Sequence, residues 1–208
     1  MKTHDLIFSN RPKATIPSKL LYDSKDIAFS PYGEYWRQVR SIGVLNLLSN
    51  KRVQSYKSTR EEETALMIKK INNNRLVNLS DMFKSLTNDV VCRVALGRKL
   101  GGEDGRRFKE LLVEFVELLG VFCVGDYVPW LWWIDRVSGL FGRVERIAKG
   151  VDEFLEGVIS DHMEKKKRET EGEWEETNFV DILLEIQREN TLGFPVSRDT
   201  IKALIMVC

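Results

Sequence analysis

The sequence predicts a mainly α-helical protein. Three observations carry that prediction. Apolar residues recur at spacings of three and four, as in Phe108, Leu111, Phe115, Leu118 and Phe122, and again in Val144, Ile147, Val151, Phe154 and Val158. The period-two alternation of half-buried strands is almost absent. Helix starts and stops also stand where the periodic stretches need them, among them Ser30-Pro31, Ser80-Asp81, Gly97 and Ser197.

The elements follow in chain order. The first 30 residues carry Pro12, Pro17 and many Ser, Thr and Asp residues, which predicts a short helix and then a long irregular loop. Ser30 at an N-cap with Pro31 at the first helical position opens a helix from Tyr32 to about Leu45. Glu61 to Ile71 reads as another, acidic at its start and basic towards its end, as the macrodipole favours. Ser80-Asp81 opens a third, with Phe83, Leu86, Val90 or Val91, and Val94 on one face, closing near Gly97. Gly101, Gly102 and Gly105 read as a loop before the helix of Phe108 to Phe122.

Asp126-Tyr127-Val128-Pro129-Trp130-Leu131-Trp132-Trp133 then predicts a loop with an exposed or membrane-facing apolar surface. The helix from Val144 should reach Lys167. Lys165-Lys166-Lys167-Arg168 and the acidic residues from Glu169 to Glu176 read as a solvated polar loop. Asn178 to Arg188 is a shorter helix, and Ser197 caps a last one with Ile201, Leu204 and Ile205 apolar.

Bulk composition narrows the function classes. Hydrophobic residues make up 43% and charged residues 30% of the 208, a globular balance. With 32 basic and 31 acidic residues the net charge is +1, which offers no basic face for nucleic acid. Cys92, Cys123 and Cys208 form no C-x-x-C pair, and the two histidines, His4 and His162, stand far apart, so no zinc pattern exists. The scattered thiols fit a reducing compartment. No run of roughly 18 apolar residues is present.

The stretch with the most chemical content is Phe29-Ser30-Pro31-Tyr32-Gly33-Glu34-Tyr35-Trp36-Arg37-Gln38-Val39-Arg40. Trp36 and Arg40 are four residues apart and project from one helix face. A guanidinium stays charged and binds a carboxylate bidentately, and an indole N–H adds a donor on the same side.

This stretch resembles the C helix of the cytochromes P450, whose signature is W-x-x-x-R. Asp5 to Pro12, Asp126 to Leu131, Asp152-Glu153-Phe154-Leu155 and Asp199 to Ile205 resemble further blocks of plant microsomal members of the A-type, 71-like clan. Together these blocks span nearly the whole chain, in family order.

The resemblance implies a partial cytochrome P450 fold, helices B to early I, as one incomplete domain over 1–208. It implies a haem cofactor, with Trp36 and Arg40 holding a haem propionate. Lys13 to Phe29 would be the loop that helps select substrate, and Ile27, Phe29 and Phe122 would line the substrate pocket. The implied activity is a haem-thiolate monooxygenase, taking electrons from an NADPH–cytochrome reductase and oxidising a small lipophilic plant metabolite. The implied location is the cytoplasmic face of the endoplasmic reticulum membrane, touched through Trp130, Trp132 and Trp133 in the F–G connection.

Other parts of the family pattern are missing from these 208 residues. They hold no F-x-x-G-x-R-x-C-x-G, so no cysteine stands where the family ligates iron, and no catalytic residue or metal ligand is predicted. The E-x-x-R pair of the family's helix K is absent, as are the anchor helix and first sheet. Met206-Val207-Cys208 stands where A-G-x-D-T would follow. The expectation is a truncated or mis-spliced product that is inactive alone, against the alternative of a non-catalytic helical protein acting only through interactions. A regulatory haem binder would need His4 or His162 as its axial ligand.

Overall fold

A computed structural model describes residues 8–73, 76–168, 178–189 and 195–207. Every described element is helical. They are α1 (Thr15–Leu20), α2 (Glu34–Asn46), α3 (Asn50–Ser55), α4 (Lys57–Asn73), α5 (Leu79–Leu96), α6 (Gly102–Leu119), α7 (Val124–Tyr127), a 3₁₀ turn (Pro129–Leu131), α8 (Trp132–Val137), α9 (Leu140–Arg168), α10 (Phe179–Glu189) and α11 (Arg198–Val207). The mainly α fold holds.

The long α9 is the axis. Val144, Ile147, Val151, Leu155, Val158 and Ile159 form a stripe buried along its length. Helices α1, α6, α8, α10 and α11 pack against it, while α4 pairs with α5 and α5 with α10. One core cluster results. It joins Ile16 and Leu20, Val39 and Ile42, Phe115 and Leu118, Phe179 and Leu183, and Ile201 and Leu204 to the α9 stripe. Burying a large aliphatic or aromatic side chain is worth about 1.5–3 kcal/mol, so this stripe dominates the fold.

Local chemistry sets several helix ends. Asn78 accepts from the N–H groups of Ser80 and Asp81 at 3.1 and 3.4 Å and starts α5. Asn178 does the same for α10 through Asp181 N–H at 3.0 Å, and Ser197 for α11 through Thr200 N–H at 3.2 Å. Gly97 ends α5 in the left-handed region, at φ 67. A Cβ there would be strained and would also meet Asn178 Nδ2 at 2.6 Å.

Several expectations need correction. The loop before Pro31 contains α1, whose Ile16 and Leu20 face the core. One short helix is expected in the first 30 residues; α1 is the one described there, and residues 1–7 lie outside the described residues. Helix α2 starts at Glu34 rather than Tyr32, because Gly33 is extended at φ 177 and ψ −167; the Tyr32 N–H before it donates to Asn10 Oδ1 at 3.1 Å. Ser30 is buried rather than capping.

Helix α4 begins at Lys57, a turn before Glu61, so its acids do not sit in the first turn. Short α3 precedes it, capped by Ser49. On α5 the buried residues are Cys92, Ala95 and Leu96, while Phe83 is exposed, since the core reaches only the C-terminal end of that helix. Gly105 lies inside α6 and Phe122 beyond its end. The tryptophan-rich stretch is helical in short pieces rather than a loop, because Pro129 suits the first position of a helical turn. Lys165 to Arg168 continue α9; residues 169–177 of the expected polar loop are outside the described residues.

Three consecutive non-glycine residues, Tyr22, Asp23 and Ser24, hold φ of 53, 61 and 58. Such residues cost roughly 1–2 kcal/mol each in the left-handed region. They are held from outside: Asp23 N–H donates to the Ser18 carbonyl at 2.8 Å and the Tyr22 hydroxyl to Asp152 at 2.9 Å.

Candidate functional site

Helix α2 presents Trp36 and Arg40 on one face, one turn apart. Trp36 is 9% exposed, and its indole N–H donates to the Ile27 carbonyl at 2.9 Å. The Arg40 guanidinium carbon lies 5.0 Å from the centre of the Trp36 ring. A second guanidinium, from Arg11, stands 4.8 Å from that centre. Arg11 is fixed by two carbonyls, Nε donating to Ala28 at 2.9 Å and Nη1 to Ser9 at 3.1 Å. The Tyr32 ring leans on Trp36 at 5.4 Å.

Two cations thus gather on one aromatic side chain, which attracts them through its ring electrons. Neither Arg11 nor Arg40 forms an ion pair with an acidic side chain among the described residues. Guanidinium groups of this kind can bind an acidic ligand. Sequence reasoning placed Arg11 in a family-like block without giving it a role. No local spacing would have found it, because it reaches Trp36 only through the fold of the intervening chain.

The donor set fits one edge of a haem, whose two propionates are carboxylates. Since the indole hydrogen is already given to Ile27, the fit rests on the Arg11 and Arg40 guanidiniums rather than on the Trp36 N–H.

Ile27 and Phe29 are partly buried against the core beside this cluster. Gly43 of α2 makes room for Ile27: a Cβ at that position would lie 2.7 Å from Ile27 Cδ1. Phe122 is placed differently. It is 63% exposed and its ring stacks on Tyr127 at 4.5 Å. Trp130, Trp132 and Trp133 are 77%, 53% and 51% exposed.

The thiols are poor metal ligands as they stand. Cys92 and Cys123 are buried and unpaired. Burial, helped by nearby Asp89, pushes the Cys92 thiol up to about 11. Burial, then Asp135 accepting from its Sγ, raises Cys123 as well. A raised thiol stays protonated, while ligation needs the thiolate. Cys208 lies outside the described residues, as does His4. His162 is occupied on both ring nitrogens, with Asp181 at 2.9 Å and the Leu96 carbonyl at 3.1 Å.

Comparison with known proteins addresses the family and the fold. The sequence matches the family model described as Cytochrome P450 over residues 1–208. It is 54% identical to cytochrome P450 736A117 of Prunus mume, covering 99% of this chain and 40% of that protein. It is 51% identical to cytochrome P450 71A26 of Arabidopsis thaliana, over 99% of this chain and 41% of that one. Norfluorocurarine oxidase of a Strychnos species is 49% identical, over 99% and 42%. The chain therefore spans about 40% of the length of these relatives. Among solved structures, a zebrafish cytochrome P450 with progesterone superposes with a TM-score of 0.71 at 20% identity, over 99% of this chain and 45% of that one, which shows a shared fold.

Proposed function

Because this chain belongs to the cytochrome P450 family, we propose that it supplies the propionate-holding part and the substrate-facing loop of a haem-thiolate monooxygenase. When bound to a cysteine thiolate, haem supplies oxygen activation, for the thiolate favours O–O cleavage. The residues here do other work. Arg11 and Arg40 neutralise and orient carboxylates at the haem edge. Trp36 holds both cations in register with its ring. Ile27 and Phe29 present apolar surface beside them, which suits a small lipophilic substrate. Electrons would come from an NADPH–cytochrome reductase, and the exposed Trp130, Trp132 and Trp133 would rest on the cytoplasmic face of the endoplasmic reticulum membrane.

The observation that carries this reading is the pair of guanidiniums, Arg11 and Arg40, 4.8 and 5.0 Å from the centre of the Trp36 ring and neither in an ion pair among the described residues. Haem titration of the expressed chain, followed by absorbance, tests it. Saturable binding that weakens about tenfold or more in the Arg11→Ala, Arg40→Ala double variant is expected, the scale of losing charge-assisted bonds. Equal affinity in the double variant would overturn it. The reduced, carbon-monoxide-bound chain should lack the red-shifted Soret band of a thiolate ligand, since Cys92 and Cys123 are protonated in its interior. Such a band would show that one of the three cysteines binds iron as a thiolate.

A further inference from the structure

The segment from Lys25 to Phe29 gives its carbonyls to the aromatic and cationic groups around α2. The Lys25 carbonyl accepts from the Tyr35 hydroxyl, the Ile27 carbonyl from the Trp36 indole and the Ala28 carbonyl from Arg11 Nε, each at 2.9 Å. The N–H groups that share peptides with the Ile27 and Ala28 carbonyls go to one atom. Oδ1 of Asp26 accepts from Ala28 N–H at 2.6 Å and from Phe29 N–H at 2.9 Å.

Peptide planarity makes these two sets of bonds one arrangement. In a trans peptide the N–H of one residue and the carbonyl of the residue before it lie in one plane and point opposite ways. Fixing Ala28 N–H therefore aims the Ile27 carbonyl, and fixing Phe29 N–H aims the Ala28 carbonyl. Those are the carbonyls that hold Trp36 and Arg11.

We propose that Asp26 is the positioning residue of the haem-edge cluster: its Oδ1 turns the Ile27 and Ala28 carbonyls onto Trp36 and Arg11, and so sets the two cations that face the propionates. This rests on the propionate reading of Arg11 and Arg40. Asp26 touches neither haem nor substrate in this role and acts through the backbone.

The state of its second oxygen supports the assignment. Asp26 is 0% exposed, and Oδ2 has no hydrogen-bond partner among the described residues. A bare carboxylate with an orphaned oxygen is costly in such a place. Burial raises the carboxyl above the usual carboxylate range, against the pull of the two N–H groups and Arg11. Oδ1 alone accepts both N–H bonds, so the position of that oxygen is what orients the segment. An asparagine carboxamide can put an acceptor oxygen in the same place.

Asp26→Asn and Asp26→Ala in the full chain separate these demands. Asp26→Asn should bind haem within about twofold of the parent. Asp26→Ala should bind about tenfold or more weakly, the scale seen when a supporting hydrogen bond behind a ligand-holding group is removed. Amide hydrogen exchange gives a readout that does not need haem. The Ala28 and Phe29 amides should be protected in the parent and in Asp26→Asn, and should exchange freely in Asp26→Ala while the α9 amides stay protected. The Trp36 fluorescence, obtained by difference against Trp36→Phe, should shift to longer wavelength in Asp26→Ala alone.

Tight haem binding by Asp26→Ala, or Asp26→Asn failing as Asp26→Ala does, would overturn the inference with the propionate reading intact. If Asp26→Ala does not fold, Asp26→Asn and the protection of Ala28 and Phe29 decide. If the parent binds no haem, the propionate reading fails, and the exchange and fluorescence results still show whether Asp26 sets Trp36.

Discussion

Lys202 of α11 places its ammonium between two carboxylates of α9, Asp152 at 2.5 Å and Glu156 at 2.8 Å. It is 6% exposed, and its partners carry further bonds: the Tyr22 hydroxyl donates to Asp152 at 2.9 Å and Arg198 pairs with Glu156 at 2.7 Å. The cluster therefore joins α11, α9 and the strained turn at Tyr22. Burial works against the charge on Asp152, yet Lys202 and Tyr22 hold its carboxyl below the usual range. The hydrogen bond from Lys202 lowers Glu156 against the cost of burial, and the two carboxylates raise Lys202 despite its desolvation.

Removing the cation should cost about 2 kcal/mol in Lys202→Ala. That is less than the roughly 3–5 kcal/mol of a fully buried pair, because both carboxylates are nearly half exposed and can hydrate. The sign with pH follows from the directions. Depressed carboxyls contribute above their unfolded values, near ~4, and a raised lysine contributes below its own, near ~10.4. The stability gap between parent and Lys202→Ala should be full between about pH 5 and 10 and shrink as pH falls through the folded carboxyl values. Urea unfolding across that range checks it. A gap that persists unchanged at pH 2 would mean packing, not charge, supplies it.

Gly97→Ala should destabilise by about 1–2 kcal/mol for the left-handed backbone alone. The added Cβ also presses on Asn178, the cap of α10, so two helix ends loosen together. Thermal unfolding with hydrogen exchange at the start of α10 measures this. Unchanged protection of the Asp181 amide would show that Asn178 moves aside without losing its cap.

Cys92 should resist alkylation in the folded chain. With its thiol pushed up to about 11, on the order of one molecule in a thousand is thiolate at pH 8. Iodoacetamide with mass-spectrometric mapping should label Cys92 only after unfolding. Labelling of the folded protein at the rate of a free cysteine would remove the argument that this thiol is inert.

What could be read from the sequence were features whose cause is local. The α9 stripe from Val144 to Val158, the Gly97 stop and the Ser197 cap follow from spacing and backbone chemistry within a few residues. What escaped is set by distant partners. Ser30-Pro31 has the chemistry of a helix start, but Gly33 is extended and Tyr32 is tied to distant Asn10. Phe83 has the periodicity of a core residue, but the core stops at the other end of its helix. The site divides the same way. Trp36 and Arg40 are a turn apart and legible together, whereas Arg11 and Asp26 join them through carbonyls of a loop that has no periodicity to read.

The tryptophans of α8 and the turn before it test the membrane part of the proposal. Trp130, Trp132 and Trp133 stay largely exposed, with Tyr127 and Val137 beside them in sequence and equally uncovered. Amphipathic aromatic rings favour the water–lipid boundary. The chain should therefore sediment with phosphatidylcholine vesicles, with its tryptophan emission shifted to shorter wavelength. Replacing all three residues by alanine should lower the partition about tenfold or more, since each ring buries substantial apolar area. Because none of the three contributes to the core cluster, the melting temperature should change little. Vesicle binding that survives the triple replacement would move the contact surface elsewhere. A large loss of stability would mean these rings are covered by protein in solution, and the membrane contact would have to be abandoned.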